Sequence, residues 1–270
     1  MPIAFGARDH RIHYRDVGQR GPALVLVQGI GLDGRFWFDQ PELLANDGER
    51  PWRVLVPDNR GVGSSDMPGR PWTMADMADD VAAVLDHAGV RRAVIVGISM
   101  GGMIAQHVAL RHPDRVSGLV LMATTPGLPH GRLPELQTLG VLLGSPLRKT
   151  GHVEALAQLV LPGHAHGQAD DILAGWIGLL KQKAPRPPAF FGQLGAVISH
   201  STGRRLGKIR VPTRVITGDD DKLVPPANSR LLSERIPNAT LEVLQGVGHG
   251  IPLMDRDVVR RNANLVRPTS

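Results

Sequence analysis

The chain has 270 residues, of which 42% are hydrophobic and 21% are charged, a composition typical of a soluble globular protein. No apolar run approaches the roughly 20 residues that cross a bilayer, and the N-terminal stretch MPIAFGARDH lacks the apolar segment of a signal peptide. We therefore expect a cytoplasmic protein with no membrane partner. The absence of cysteine excludes disulfides, thiolate metal sites and a cysteine nucleophile.

The basic residues do not predict a nucleic-acid partner. The formal charge is +6 and the sequence pI is about 10.4, but the arginines and lysines are scattered along the chain. In their densest stretches, 203–210 and 255–261, no aromatic residues alternate with the basic ones as they would in a single-strand-binding groove. Scattered positive charge mainly keeps a protein in solution.

Short β-branched apolar runs alternate with longer helical segments, which predicts βα units and a mostly parallel sheet. Strands are predicted, in chain order, over 11–18, 23–29, 53–58, 93–97, 118–123, 213–218 and 239–246. The first reads as an edge strand. An amphipathic helix is predicted over 73–89, with Thr73 as its N-cap and Gly89 at its end.

Residues 126–209 interrupt this alternation. Leucine-rich helical segments are predicted there over 133–144, 152–163 and 169–183. Glycine and proline separate them, and none of the intervening sequence predicts a strand. We therefore expect an α/β fold in which 1–125 and 210–270 form the core and 126–209 form an inserted helical cap.

The segment GISMG, 97–101, places Ser99 between glycines at the point where a buried strand turns into a helix. The glycines remove β-carbons that would clash in such a sharp turn. This context is that of a nucleophile elbow, which exposes the serine hydroxyl and directs the positive end of the following helix at the site. We predict that Ser99 is the nucleophile and that the N–H of Met100 stabilises an oxyanion.

A serine hydroxyl needs a general base and a carboxylate that orients this base. In a sheet of this kind both follow the serine, on loops after later strands. His249 is the histidine, among eleven in the chain, that follows a predicted strand in a glycine-flanked loop. Three consecutive residues, Asp219, Asp220 and Asp221, are candidates for the acid.

The chain resembles the serine α/β-hydrolases over nearly its whole length, particularly the small bacterial esterase-like and lactonase-like members with a helical cap. Besides GISMG, the resemblance rests on DNRGVGSSD (58–66), GDDDKLVPP (218–226) and GVGHGIP (246–252). It implies that the acid is Asp221 and that the second oxyanion donor is the N–H of Ile30. The chain departs from the family at Gln28, where histidine is usual. We expect Gln28 to organise its loop.

The resemblance implies acyl transfer to water with no cofactor and no metal. We expect Ser99 to cleave a carboxylic ester or a lactone. Dehalogenases and epoxide hydrolases of the same fold resemble the chain less, because they carry aspartate at the elbow. Two alternatives stay open: a C–C bond hydrolase that acts on ring-fission products, and a ligand-sensing protein that keeps the triad.

The leucine-rich cap predicts a largely apolar substrate of small to medium size. We expect Trp37, Trp176 and Phe190 to line the pocket. The oligomeric state is not predicted by any pattern in the chain.

Four other residues are candidates for binding roles. His164 and His166 have the spacing of a metal pair but no accompanying carboxylate cluster, so a solvated loop is expected there. His200 and Arg204 could meet a polar substrate group, but solvated surface positions are expected for both.

Overall fold

The computed structural model describes residues 2–6, 9–69, 71–144, 159–161, 170–182 and 186–268. Within these residues the strands are β1 (Ile3–Phe5), β2 (Arg11–Val17), β3 (Ala23–Val27), β4 (Arg53–Pro57), β5 (Ala93–Ile98), β6 (Val116–Met122), β7 (Thr213–Gly218) and β8 (Ala239–Leu244). The α-helices among them are α1 (Gln40–Ala45), α2 (Met74–His87), α3 (Met100–Arg111), α4 (Leu136–Gly144), α5 (Asp170–Gln182), α6 (Pro187–Ile198), α7 (Ala227–Arg235), α8 (Ile251–Met254) and α9 (Val258–Leu265). None of the helices in the described ranges is long and apolar enough to cross a lipid bilayer.

The strands form one eight-stranded sheet in the order β1-β2-β4-β3-β5-β6-β7-β8. β2 pairs antiparallel with both β1 and β4, and every other neighbouring pair is parallel. The predicted mostly parallel sheet is therefore confirmed, and each predicted strand is present. β1 lies outside the predicted strands, because three residues are too few to show an alternating pattern. Since β1 pairs with the outer side of β2, the prediction that the strand over 11–18 is an edge strand is wrong.

The central strands are buried on both faces. Helices α2 and α3 cover one face of the sheet, and α1 and α9 cover the other. Successive side chains of a strand point to opposite faces, so a strand between two helical layers must be apolar at every position. Every residue of β3 and of β5 is accordingly buried.

Helix α2 begins and ends as its sequence predicts. Thr73 and Asp76 form a reciprocal capping box, in which the Asp76 N–H donates to Thr73 Oγ1 at 3.3 Å and the Thr73 N–H to Asp76 Oδ2 at 2.8 Å. Gly89 follows the helix with φ +66°, a backbone conformation that favours glycine.

Helices α4, α5 and α6 lie between β6 and β7, and we call residues 126–209 the insertion. The predicted segments 133–144 and 169–183 contain α4 and α5, whereas most of 152–163 lies outside the described residues. The predicted helical segments do not include α6, because two consecutive prolines at its start predict a break. Proline is tolerated in the first helical turn, where its missing N–H would have had no partner. The domain boundaries stay a prediction.

Candidate active site

Four loops that the sequence singles out leave the same edge of the sheet. The loop at Gln28 follows β3, Ser99 follows β5, Asp221 follows β7 and His249 follows β8. These strands are parallel to one another, so their carboxyl ends lie along one edge. Open α/β sheets bind ligands at this edge.

Ser99 has the backbone of a strained turn. Its φ of 56° and ψ of −119° lie in a region that side chains other than glycine rarely occupy. Two hydrogen bonds hold the turn: the Ser99 N–H donates to Met122 O at 2.9 Å, and Thr124 Oγ1 donates to Ser99 O at 2.7 Å. The Ser99 side chain itself is half-buried.

The two glycines of the motif allow strand and helix to approach each other closely. A Cβ at Gly97 would lie 2.2 Å from Gly101 O, and a Cβ at Gly101 would lie 2.0 Å from Val27 O. Neither position has room for a methyl group, because both neighbouring atoms belong to the backbone. The clash expected from the sequence is therefore a real property of this turn.

Asp221 and His249 form a buried pair. Asp221 Oδ2 accepts a hydrogen bond from His249 Nδ1 at 2.9 Å. Asp221 Oδ1 accepts from the N–H groups of Leu223 at 2.9 Å and Val224 at 2.8 Å, so both carboxylate oxygens have donors. An Asp221 carboxylate can only accept, which places the His249 proton on Nδ1 and leaves Nε2 free to accept one.

The other two aspartates of the loop have different partners. Asp219 Oδ1 accepts from the Gly246 N–H at 2.7 Å, and Asp220 pairs with Lys222 at 2.5 Å. Asp221 is thus the one of the three that bonds to His249. Within the described part of the chain, Ser99 Oγ and the His249 ring form no hydrogen bond. Such bonds are often long or poorly aligned in a site without substrate.

The loop after β3 lies against the elbow. A Cβ at Gly29 would lie 3.5 Å from Ser99 Cβ. Gln28 Oε1 accepts from the Gly29 N–H at 2.8 Å, and Gln28 O accepts from Asn59 Nδ2 at 3.0 Å, so this buried glutamine organises its loop as expected. In the described ranges the N–H groups of Ile30 and Met100 donate no backbone hydrogen bond.

The loop after β4 holds its neighbour in place. Asp58 Oδ1 accepts from the Gly34 N–H at 2.9 Å, and Asp58 Oδ2 accepts from the Ser64 N–H at 2.9 Å. Burial raises the pKa of the Asp58 carboxyl above its ordinary value. Arg60 is buried and forms two 2.6 Å hydrogen bonds to Asp80. The DNRGVGSSD motif therefore forms a rigid frame around the loop after β3.

The predicted pocket residues have different surroundings. Trp37 is 1% exposed and packs in the core on the α1 and α9 face, so the prediction that it lines the pocket is wrong. Trp176 packs edge to face on Phe36, with ring centroids 6.2 Å apart, which joins the insertion to the loop after β3. Phe190 is buried against Phe191.

Two of the four other candidate residues lie within the described residues. His164 and His166 lie outside the described residues. Arg204 is exposed, as expected. His200 is 2% exposed, and its Nε2 lies 3.0 Å from Thr125 O, so the expected solvated position is wrong for this residue.

Two residues that hold the site were missed in the sequence. Asn59 lies in a motif read only as a tight local turn, yet it reaches the neighbouring loop. Gln193 is fully buried and contacts both loops. The sequence feature that could have identified Gln193 is that it is the one polar side chain in the otherwise apolar helix PPAFFGQLGAVI.

Comparisons with known proteins agree with this architecture. A family model described as the α/β hydrolase fold matches residues 22–143. RutD of Caulobacter sp. (strain K31), which is named as a carbamate hydrolase, is 31% identical over 250 residues, covering 89% of this chain and 88% of RutD. The 2-hydroxy-6-oxononadienedioate/2-hydroxy-6-oxononatrienedioate hydrolase of Burkholderia vietnamiensis (strain G4 / LMG 22486) is 33% identical over 247 residues, covering 88% of this chain and 84% of that protein.

A solved structure shares nearly the whole fold. The enol-lactonase of Burkholderia xenovorans LB400 superposes with a TM-score of 0.81 and 25% identity, covering 98% of this chain and 99% of that one. The sheet order, the turn at Ser99 and the sequence relatives all support the same family assignment. The chain belongs to the α/β-hydrolase family.

Proposed function

We propose that this chain is a serine hydrolase that cleaves carboxylic esters or lactones through an acyl-enzyme on Ser99. The observation that carries the proposal is the 2.9 Å hydrogen bond between Asp221 Oδ2 and His249 Nδ1. This buried pair lies at the sheet edge where Ser99 occupies a left-handed backbone conformation at the start of a helix. A base oriented by a carboxylate is what a serine nucleophile requires.

The residues of the site have defined roles in the proposed reaction. His249 Nε2 takes the proton of Ser99 Oγ as the oxygen attacks the carbonyl carbon. His249 then gives this proton to the leaving oxygen, whose bond to carbon breaks. Water, activated by the same histidine, cleaves the acyl-enzyme and restores Ser99. Asp221 keeps the ring in the required tautomer. Neither a metal nor a cofactor is needed.

The negative oxygen of the tetrahedral intermediate needs fixed donors. We propose the N–H groups of Met100 and Ile30. Met100 is the first residue of α3, where N–H groups have no partner within the helix. The helix dipole adds positive potential at this end. Ile30 follows Gly29, which lies against Ser99.

An apolar acyl or alcohol group suits the surroundings. Phe36, Trp176 and Leu180 form an apolar cluster between the insertion and the loop after β3. We retain Trp176 and Phe190 as pocket residues. The enol-lactonase likeness supports a lactone as one substrate class.

C–C bond hydrolysis is the second candidate, favoured by the relative from Burkholderia vietnamiensis that is named for a hydroxy-oxo-dienedioate substrate. The same serine and histidine would serve there, since the substrate also presents a carbonyl carbon. A protein that keeps the triad and only senses a ligand is the third.

The proposal is tested with p-nitrophenyl esters of graded acyl length, simple lactones and a vinylogous diketone, using wild type and Ser99→Ala. We expect ester or lactone turnover in wild type and a loss on the order of 10⁶ in kcat for Ser99→Ala. Turnover of the diketone alone would replace the proposal with the C–C hydrolase. No turnover of any substrate would leave the ligand sensor.

A further inference from the structure

The buried side chain of Gln193 joins two loops at the candidate active site. It lies on α6 and is 0% exposed. Its Oε1 accepts from the Gly31 N–H at 2.7 Å, and its Nε2 donates to Arg60 O at 3.0 Å. If the amide were flipped, its oxygen would face Arg60 O and its N–H group would face the Gly31 N–H, so neither hydrogen bond could form. The two partners therefore define the orientation of the amide.

The bond to Gly31 acts on the peptide next to the proposed oxyanion donor. The unit that links Ile30 to Gly31 is planar, so fixing the Gly31 N–H also fixes the direction of the Ile30 carbonyl. Gly31 has φ +73°, a conformation in which glycine has far more freedom than other residues. Inside the turn, among the described residues, only the long bond from the Leu32 N–H to Gly29 O, at 3.4 Å, also restrains the peptide that carries the Ile30 N–H. Loss of the Gln193 bond would therefore leave the turn, and with it the Ile30 N–H, more weakly held.

The other end of the Gln193 amide is firmly held. Arg60 is 1% exposed, and its guanidinium is paired with Asp80 through two 2.6 Å hydrogen bonds. The adjacent residue, Asn59, bonds to Gln28 O. The loop after β3 is thus tied to the loop after β4 on both sides of Ile30.

The insertion also contacts the histidine loop. Val160 O accepts from the Gly250 N–H at 2.8 Å, one residue after His249. The insertion therefore contacts the loop of the proposed base as well as the loop of the proposed donor.

We infer that Gln193 is a positioning residue, through which the insertion holds the Ile30 N–H in place for the oxyanion. This inference rests on the proposed function. It makes the insertion a structural part of the catalytic machinery in addition to any role as a cover. The expected signature is a loss in kcat with little change in KM, because oxyanion contacts form mainly in the transition state.

The test compares Gln193→Met with a matched control. Methionine has a similar length but removes both hydrogen bonds. Gln40→Met removes a buried amide that donates to Arg256 O at 2.8 Å, on helix α1. We expect kcat for Gln193→Met to fall about 10- to 100-fold with KM within about threefold, and kcat for Gln40→Met to stay at the wild-type value.

Gln193→Glu supplies a pH signature that lost stability alone would not give. The protonated carboxyl has a carbonyl for Gly31 and an O–H for Arg60 O, whereas the carboxylate has no donor. Burial favours the protonated form. We expect the ratio of kcat/KM for Gln193→Glu to wild type to rise as the pH falls from 8 to 6, on the order of tenfold. The same ratio for Gln193→Met stays flat.

Hydrogen exchange of the segment 28–33 separates the inference from the proposed function. Faster exchange in Gln193→Met than in Gln40→Met, together with the kcat loss, supports the inference. Unchanged exchange, or an unchanged kcat despite faster exchange, overturns the inference about Gln193. In either case, ester turnover by wild type still supports the proposed function. If wild type turns over no ester or lactone, the proposed function fails and the inference fails with it.

Discussion

The elbow at Ser99 and the loop at Ile30 would supply the two oxyanion donors, yet they are built in different ways. The elbow is shaped by its own backbone: Gly97 and Gly101 permit the close approach of strand and helix, and Ser99 adopts φ 56°. The loop after β3 is held by side chains from distant parts of the chain. Gln193, its farthest partner, is 162 residues from Gly31.

This difference separates what short motifs can predict from what they cannot. Steric limits within five residues of sequence are visible in GISMG. A hydrogen bond between residues of two separate loops depends on the complete fold. Damage to the elbow should therefore disrupt folding and chemistry together, whereas damage to the loop after β3 should mainly slow the chemistry.

After removal of the Ser99 hydroxyl itself, the largest effect is expected at a third loop, that of Asp221. In Asp221→Asn the amide oxygen must stay on the N–H groups of Leu223 and Val224, so the amide nitrogen faces His249 Nδ1. This arrangement selects the wrong histidine tautomer. We expect kcat to fall about 10⁴-fold while the unfolding midpoint changes little. A loss of only a few fold would assign the acid to another residue.

The backbone construction of the elbow is tested by Gly101→Ala, with Gly195→Ala as the control. The added methyl of Gly101→Ala would lie 2.0 Å from Val27 O, whereas no atom of the described residues lies within 4 Å of a Cβ at Gly195. We expect Gly101→Ala to lose more than about 3 kcal/mol of unfolding free energy in urea titrations. Gly195→Ala should gain about 0.5–1 kcal/mol, because alanine favours the helix. Equal stabilities would contradict the elbow account.

The next prediction concerns the pH dependence of stability. It rests on two buried histidines, His107 and His200, where the insertion returns to the core. Burial is the principal cause that lowers the pKa of His200 to about 4 and the pKa of His107 to about 3. The positive charge of Arg205 lowers both pKa values further. At His107, the charges of His200 and Arg111 add to this effect. His200 Nδ1 lies 3.3 Å from His107 Nε2. In the unfolded chain both histidines bind protons near pH 6.5.

The unfolded state therefore binds more protons as the pH falls from about 6.5 toward 4, and stability is lost over that window. For His200 we expect about 2 kcal/mol less unfolding free energy at pH 5 than at pH 7. His200→Asn should reduce this pH dependence in urea titrations. A slope identical to that of wild type would show that the pair does not couple to folding.

The smallest effect is expected from a single side-chain contact of the loop after β3. Asn59→Leu removes the donor to Gln28 O and should lower kcat about 10-fold, since a buried acceptor left without its donor costs about 1–3 kcal/mol and the loop would shift to relieve this cost. Asn262→Leu is the matched control, because Asn262 is also buried and donates to Glu242 and Val258 O on the far face. It should lose stability but keep kcat. Equal kcat losses in both would show that the loss is not local to the loop.

The sequence predicts the sheet, the elbow and the pairing of Asp221 with His249 because each is encoded in short apolar runs or in a family motif. The sequence does not predict whether Trp37 belongs to the core or to the pocket, because an apolar side chain near the start of a helix is compatible with both positions. The sequence predicts an exposed His200 because histidine is polar, whereas its burial depends on packing that the complete fold creates. The role of Gln193 depends on contacts across the fold.

The central claim is that Ser99 is an activated nucleophile. Its most direct test is labelling with a fluorophosphonate, followed by intact-mass measurement and peptide mapping of wild type and Ser99→Ala. We predict a single phosphonyl adduct on Ser99 in wild type and none in the variant. An unlabelled wild type, or an adduct that persists in Ser99→Ala, would contradict the account.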